Sequence, residues 1–76
     1  SIEKLRFISN KFFTVERWHV NKRYQPFIDG FKIFMVLEGS GYMDHEPIKK
    51  GDHIVVLGDK EAFTIEGEMT LMVAWQ

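Results

Sequence analysis

Three histidines, His19, His45 and His53, are the first candidates for metal binding or proton transfer in this chain. A metal site needs several ligands converging at fixed distances. No two of these histidines stand at i, i+2, the spacing that sets two imidazoles on one strand face. His45 falls in an expected turn, and His53 follows Gly51-Asp52 and opens a strand. They read as surface or partly packed residues. The carboxylates Glu16, Glu38, Asp44, Asp52, Glu66 and Glu68 lie in or beside expected turns, or on polar strand faces. Glu38 and Asp52 flank glycines, where carboxylates commonly accept backbone N–H bonds. Ser40 sits between Gly39 and Gly41 with no neighbouring base to activate it. The sequence has no cysteine, which removes thiolate ligands, disulfides and a cysteine nucleophile. No residue is therefore assigned as catalytic, cofactor-binding or metal-ligating.

Aromatic residues offer a different chemistry. Phe12, Phe13, Trp18, Phe27, Phe31, Phe34, Phe63 and Trp75 are spread over the chain. Most would fill the interior of a small barrel. A subset at an open mouth would suit a sugar or another small ligand.

Period-two hydrophobic runs bounded by Gly, Pro and Asp predict an all-β fold of about 6–8 short strands, a small antiparallel barrel or sandwich. Phe12–Val20 is a strand candidate. A bulge near Glu16–Arg17 would turn Phe13, Val15, Trp18 and Val20 all inward. Asn21–Pro26 reads as a loop. Phe31–Glu38 follows, expected to be buried on both faces at its middle. Gly39-Ser40-Gly41 reads as a hairpin turn and His45-Glu46-Pro47 as the next, with a short strand Tyr42–Asp44 between. Lys49–Asp52 turns into His53–Leu57, and Gly58–Glu61 is a polar loop. Ala62–Glu66 is a short strand, and Gly67-Glu68 turns into Met69–Trp75. The first nine residues read as coil or as an added strand around Phe7–Ser9, and residues 1–10 as an irregular or linker segment of a larger parent chain.

Seventy-six residues allow one domain, 1–76. A chain this short buries about 60–65% of its unfolded surface, so its core is marginal. Hydrophobic residues make up 45% of it, which is rich for that size and implies either a core dense with rings or apolar surface covered by something else. The net charge is −1, and Arg6, Lys11, Arg17, Lys22, Arg23, Lys49 and Lys50 are scattered. A nucleic-acid binder would cluster its basic residues. No apolar run reaches the ~20 residues needed to span a bilayer as a helix. No nucleic acid or membrane is expected as a partner.

The stretches FMVLEGSGYM, IKKGDHIVVL and AFTIEGEMTLMVAW resemble the cupin superfamily over roughly Phe12 to Trp75. The first cupin motif, G-x5-H-x-H-x3,4-E-x6-G, aligns its last glycine with Gly39. Its glutamate then falls on Lys32, and its histidines fall among Gln25, Pro26, Phe27 and Ile28. The second, G-x5-P-x-G-x2-H-x3-N, opens at Gly51. Its proline, second glycine and histidine positions fall on Leu57, Asp59 and Ala62. The resemblance thus implies a jelly-roll barrel with none of the four usual metal ligands. A lysine at the glutamate position would repel a divalent cation if it pointed inward.

The order of FFTVERWHV, VLEGSG, IKKGDHIVVL and FTIEGEMTLMVA is similar to the C-terminal cupin-like domain of short bacterial type I mannose-6-phosphate isomerases. Those enzymes interconvert mannose 6-phosphate and fructose 6-phosphate through a bound zinc and an enediol-type proton transfer. The resemblance implies that the zinc and the catalytic groups belong to a preceding catalytic cupin domain, the main partner of this one. This chain would be a cytoplasmic fragment, inactive alone and without a cofactor of its own, with homo-oligomerisation in isolation an option. Two alternatives stay open: a free-standing metal-free cupin that binds or senses a small ligand such as a sugar, and an interaction module.

Overall fold

The computed structural model describes residues 1–58 and 62–76. Six strands form: β1 (Ile2–Ser9), β2 (Thr14–Tyr24), β3 (Lys32–Met43), β4 (Glu46–Lys49), β5 (His53–Val56) and β6 (Ile65–Trp75). No described residue is helical. All pairings are antiparallel, in the order β1-β2-β6-β3-β4, with β5 also pairing β3. β3 thus has β6 along one edge, and β5 (beside 32–35) and β4 (beside 40–43) along the other. The expected all-β, cupin-like architecture forms.

Cross-strand register explains the core. Val20, Trp18 and Glu16 of β2 share one parity and face inward. Opposite them on β6 stand Met69, Leu71 and Val73, and β3 continues the rows with Val36 beside Leu71 and Phe34 beside Val73. Trp18, Val20, Phe34, Val36, Met69, Leu71 and Val73 are all buried, together with Ile28, Ile48, Val56, Phe63 and Ile65 from the rest of the chain. Edge-to-face contacts of Trp18 with Phe34 (5.7 Å) and with Tyr24 (5.7 Å) join these rows. Such ring pairs contribute about 0.5–1.5 kcal/mol each beyond area burial.

Several expectations are corrected. The bulge lies in β1, where the pairing with β2 shifts between Arg6 and Ile8, and β2 pairs with β6 without a shift across Glu16–Arg17. Glu16 therefore points inward with Trp18 and Val20, whereas Phe13 is 43% exposed. β2 continues through Tyr24, so Asn21–Tyr24 is strand and not loop. β3 is buried on one face only: Lys32, Phe34 and Val36 are inside, while Ile33 is exposed and Met35 half-buried. The first residues build β1 from Ile2 onward, a strand much longer than Phe7–Ser9. Gly58 is exposed, and the remainder of the polar loop expected at Gly58–Glu61 lies outside the described residues.

The glycine readings change most. Gly39-Ser40-Gly41 is not a turn but the middle of β3, and Gly67 is not a turn but part of β6. Gly41 and Gly67 are cross-strand partners, and Gly39 pairs with Met69. A Cβ on Gly39 or Gly41 would collide with the backbone carbonyls of Glu68 or Glu66. On Gly67 it would lie 2.6 Å from the Ser40 carbonyl oxygen and 2.8 Å from the Gly41 Cα. Here glycine permits two strands to cross closely at a bend, a use of the residue in strands separate from turn formation. The real hairpin turn is Asp44-His45, between the paired Met43 and Glu46. Both residues have positive φ, 49° and 73°, as a two-residue type I′ turn requires. Pro47 sits within β4, paired only to β3, where its missing donor is tolerated.

Candidate functional site

The inner face is apolar at one end and charged at the other. β1 pairs with β2 so that Ile2, Lys4 and Arg6 stand opposite Val20, Trp18 and Glu16. Ile33 pairs with Ala74, which brings Lys32, the next residue on β3, alongside Trp75 of β6. These pairings line a cleft of about 270 Å³ with Lys4, Arg6, Glu16, Trp18, Tyr24, Pro26, Phe27, Lys32 and Trp75.

Glu16 is the one carboxylate in the cleft lining, and it is already engaged. Its Oε2 accepts from Arg6 Nε at 2.8 Å and lies 2.7 Å from Arg6 Nη2, while its Oε1 accepts from Trp18 Nε1 at 2.8 Å. Burial pushes this carboxyl up. The hydrogen bonds from Trp18 and Arg6, with the charges of Arg6 and Lys4, outweigh burial and hold it below its ordinary 4.5.

Lys4 Nζ donates to Tyr24 Oη at 2.7 Å and stands 4.2 Å from the Trp18 ring centroid and 4.8 Å from that of Tyr24. Lys32 is only 9% exposed, and its Nζ lies 3.8 Å from the Trp75 ring centroid. Among the described residues no carboxylate lies within ion-pairing distance of it. Burial, and then the charge of Lys4, lower its pKa below the ordinary 10.5, against partial support from Glu16 and Asp29. Three cations thus face one carboxylate, and two positive charges are unmatched within the cleft. The arrangement can hold an anion against aromatic walls.

It does not suit a divalent metal. The cupin glutamate position is occupied by a buried ammonium, and it does point inward. Of the histidine positions, Ile28 and Pro26 are buried apolar residues, Phe27 is exposed, and Gln25 donates from Nε2 to Thr64 Oγ1 at 3.2 Å. Leu57 and Ala62 are exposed, and Asp59 lies outside the described residues. No group of three or more His, Asp or Glu side chains is placed to hold a metal among the described residues. The donor set therefore does not fit zinc.

The sequence candidates scatter accordingly. His19 is half-buried, with Nδ1 3.1 Å from Thr70 Oγ1, and His45 and His53 are exposed. Glu38 meets Lys50 at 3.2 Å. Asp52 accepts from the Lys49 amide at 2.9 Å and closes the Lys49–Asp52 turn as expected. Asp44 is in the hairpin turn, and Glu66 and Glu68 are on β6 away from the cleft. Ser40 is exposed within β3. Of the aromatic candidates, Trp18, Phe27 and Trp75 meet in the cleft, whereas Phe34 and Phe63 stack in the core at 6.3 Å, and Phe12 and Phe13 are exposed. Lys4, Arg6 and Tyr24 were missed as site residues. Lys4 and Arg6 alternate with Ile2, and that period was the signal available.

An antiparallel six-stranded sheet wrapped around one core, with glycines at its close crossing and a cleft on its inner face, defines a cupin-like domain. The profile of the mannose-6-phosphate isomerase cupin domain matches residues 3–76, and the chain belongs to that family. The Bacillus subtilis protein YvyI, provisionally named a mannose-6-phosphate isomerase, is 37% identical over 73 residues, 90% of this chain and 23% of that protein. The crystal structure of mannose 6-phosphate isomerase from Bacillus subtilis superposes with a TM-score of 0.84 at 33% identity, covering 99% of this chain and 26% of that one. An RmlC-like cupin protein from Desulfovibrio desulfuricans shares the fold, with a TM-score of 0.68 at 16% identity over 96% of this chain and 79% of that one. The chain thus spans about a quarter of the length of the two Bacillus relatives.

Proposed function

We propose that this chain is the non-catalytic cupin domain of a zinc-dependent mannose-6-phosphate isomerase, a cytoplasmic enzyme of carbohydrate metabolism whose zinc and reacting groups lie outside these residues. The observation that carries the reading is Lys32. Where a metal-binding cupin presents a glutamate, this domain presents a lysine whose residue is nine-tenths buried, in a cleft with surplus positive charge. A divalent cation placed there would face repulsion and almost no free donors.

The role left for the domain is to pack against a preceding catalytic domain. Leu5, Phe7 and Ile8 of β1 and Phe12 and Phe13 of the following loop are between 43% and 63% exposed. Five exposed large apolar side chains within nine residues suit an interaction face. The test is elemental analysis and an isomerase assay on the purified chain. Less than a tenth of an equivalent of zinc and no conversion of mannose 6-phosphate are expected. One tightly held metal per chain would overturn the reading.

A further inference from the structure

We infer that the free edge of β1 is a docking site for an extended acidic strand, with Asp or Glu at alternate positions facing Lys4 and Arg6, supplied by the part of the isomerase chain outside these residues. Only the source of that strand rests on the isomerase reading. The pairing itself rests on this chain's own residues.

The backbone is the first argument. The strand order is β1-β2-β6-β3-β4, and among the described residues β1 pairs with β2 alone. Its other edge presents unpaired backbone N–H and C=O groups, a template for one more strand. The edge is long, running from Ile2 to Ser9, and of these residues only Ile2 is half-buried. The register shift between Arg6 and Ile8 limits straight pairing to Ile2–Arg6.

Charge is the second. Ile2, Lys4 and Arg6 stand opposite the inward residues Val20, Trp18 and Glu16. A strand added beside β1 would set its own alternate side chains about 4.5–5.5 Å from theirs, Cβ to Cβ. Those side chains would reach the cleft that also holds Lys32. Its one carboxylate, Glu16, is engaged by Arg6 and Trp18. Lys4 and Lys32 have no carboxylate within ion-pairing distance among the described residues, and their charges repel one another. Lys32 is 9% exposed, and a buried charge needs a partner. Carboxylates on the added strand supply it. On the outer parity of β1, Leu5 and Ile8 are 48% and 43% exposed, so the same strand would be apolar at its other positions.

Inward charges and bulges on an edge strand also guard against unwanted pairing. That role accounts for Lys4, Arg6 and the bulge. It does not account for Lys32, which lies on β3, a strand paired on both sides. Guarding and docking are compatible here. A second copy pairing through β1 would set Lys4 and Arg6 against the same cations, and like charges directly opposite are destabilising. The charge row thus rejects self-pairing and selects an acidic strand. The two Bacillus relatives carry about three quarters of their length outside the matched region, ample chain to donate one.

The test is titration of the chain with a short capped peptide of alternating Glu and Val. Tryptophan emission reports binding, because Lys4 lies over the Trp18 ring, and amide hydrogen exchange reports strand pairing. Expected is saturable binding in the micromolar-to-millimolar range, with every second amide of Ile2–Arg6 slowed. A block peptide of the same composition and an alternating Lys–Val peptide should each bind at least about tenfold more weakly. Lys4→Gln should weaken the acidic peptide about two- to fivefold. Lys50→Gln, exposed beside Glu38 and away from the cleft, should bind it like the parent chain. No binding to about 10 mM, equal binding of the block peptide, no slowed β1 amides, or an unchanged affinity in Lys4→Gln overturns the docking site. A dimer in sedimentation whose β1 amides are slowed without peptide overturns the acidic occupant in favour of a second copy. In the full-length isomerase the edge is already covered, so the peptide should not bind; equal binding there overturns the in-chain source. Zinc held by the isolated chain would overturn the isomerase reading and leave the peptide result standing.

Discussion

Replacing Glu16 with alanine should destabilise this domain more than its place in a β-strand suggests. Two groups lose an acceptor. The Trp18 indole N–H, in a residue 2% exposed, is left buried without a partner, which costs about 1–3 kcal/mol. Arg6 loses its carboxylate, but its side chain is 56% exposed and water replaces much of that interaction, so this adds no more than about 1 kcal/mol. The sum is about 1–4 kcal/mol, a large part of the 5–15 kcal/mol that ordinary domains possess. With an unfolding entropy of about 0.16 kcal/mol/K for a chain of this length, Tm should fall by about 6–25 °C.

Urea unfolding followed by tryptophan emission measures the effect. Glu16→Gln keeps an oxygen that can accept from the indole, so it should recover about half of the loss. The acid limb gives an independent readout. Glu16 titrates lower in the folded chain than its ordinary 4.5. Its stabilisation is therefore present above about 4.5 and lost as pH falls through the folded value. The parent chain should lose stability over that interval, and Glu16→Gln should lose less. A Glu16→Ala cost below about 0.5 kcal/mol, or Glu16→Gln as damaging as Glu16→Ala, would refute the reasoning, since the indole bond is its main component.

Lys32→Met should leave stability at pH 7 unchanged or raise it by about 1 kcal/mol, because it removes a charge that has no ion-pairing carboxylate and keeps an apolar side chain of similar length. The parent's Lys32 releases its proton at a lower pH folded than unfolded, so stability rises as pH climbs from the folded value towards 10.5; pH-dependent urea midpoints should show that rise in the parent and less of it in Lys32→Met. Gly41→Ala and Gly51→Ala separate the two uses of glycine. A Cβ at Gly41 meets the Glu66 carbonyl across the β3–β6 crossing, and overpacking of that kind should cost about 2–3 kcal/mol or more. Gly51, at φ 92° with open space around its Cα, should cost only the backbone strain of about 1–2 kcal/mol; equal midpoints for the two variants would argue against the crossing as a steric constraint.

What the sequence made legible followed from unambiguous physics. The alternation of Met69, Leu71, Val73 and Trp75 placed the C-terminal part of β6, which begins earlier at Ile65 and runs through the expected Gly67-Glu68 turn, and the first three are buried. The Lys49–Asp52 turn formed where its glycine and aspartate put it. The readings that failed did so where one residue type serves two physical ends. Glycine marks both a positive φ and a close approach, and Gly39, Gly41 and Gly67 look like turns until the pairing of β3 with β6 shows them facing one another. The turn that does exist uses Asp44 and His45, residues that reach positive φ without the glycine that would advertise it.

The site was obscured by the same rule that located the core. Alternation places Glu16 with Trp18 and Val20, and Lys32 with Phe34 and Val36. Turning Phe13, Val15, Trp18 and Val20 all inward required a bulge in β2 to repair the pattern, and the register shift lies instead in β1. Taken without repair, the parity puts Glu16 and Lys32 inside, and Lys4 and Arg6 inside with Ile2, which is the cleft lining apart from its rings. In a domain this small, a charge is kept on the inner parity only against the cost of burying it. Glu16 meets that cost with Arg6 and Trp18. Lys32 has the face of Trp75 and only distant support from Glu16 and Asp29, so of the two inward charges it is the one whose burial is left largely uncompensated.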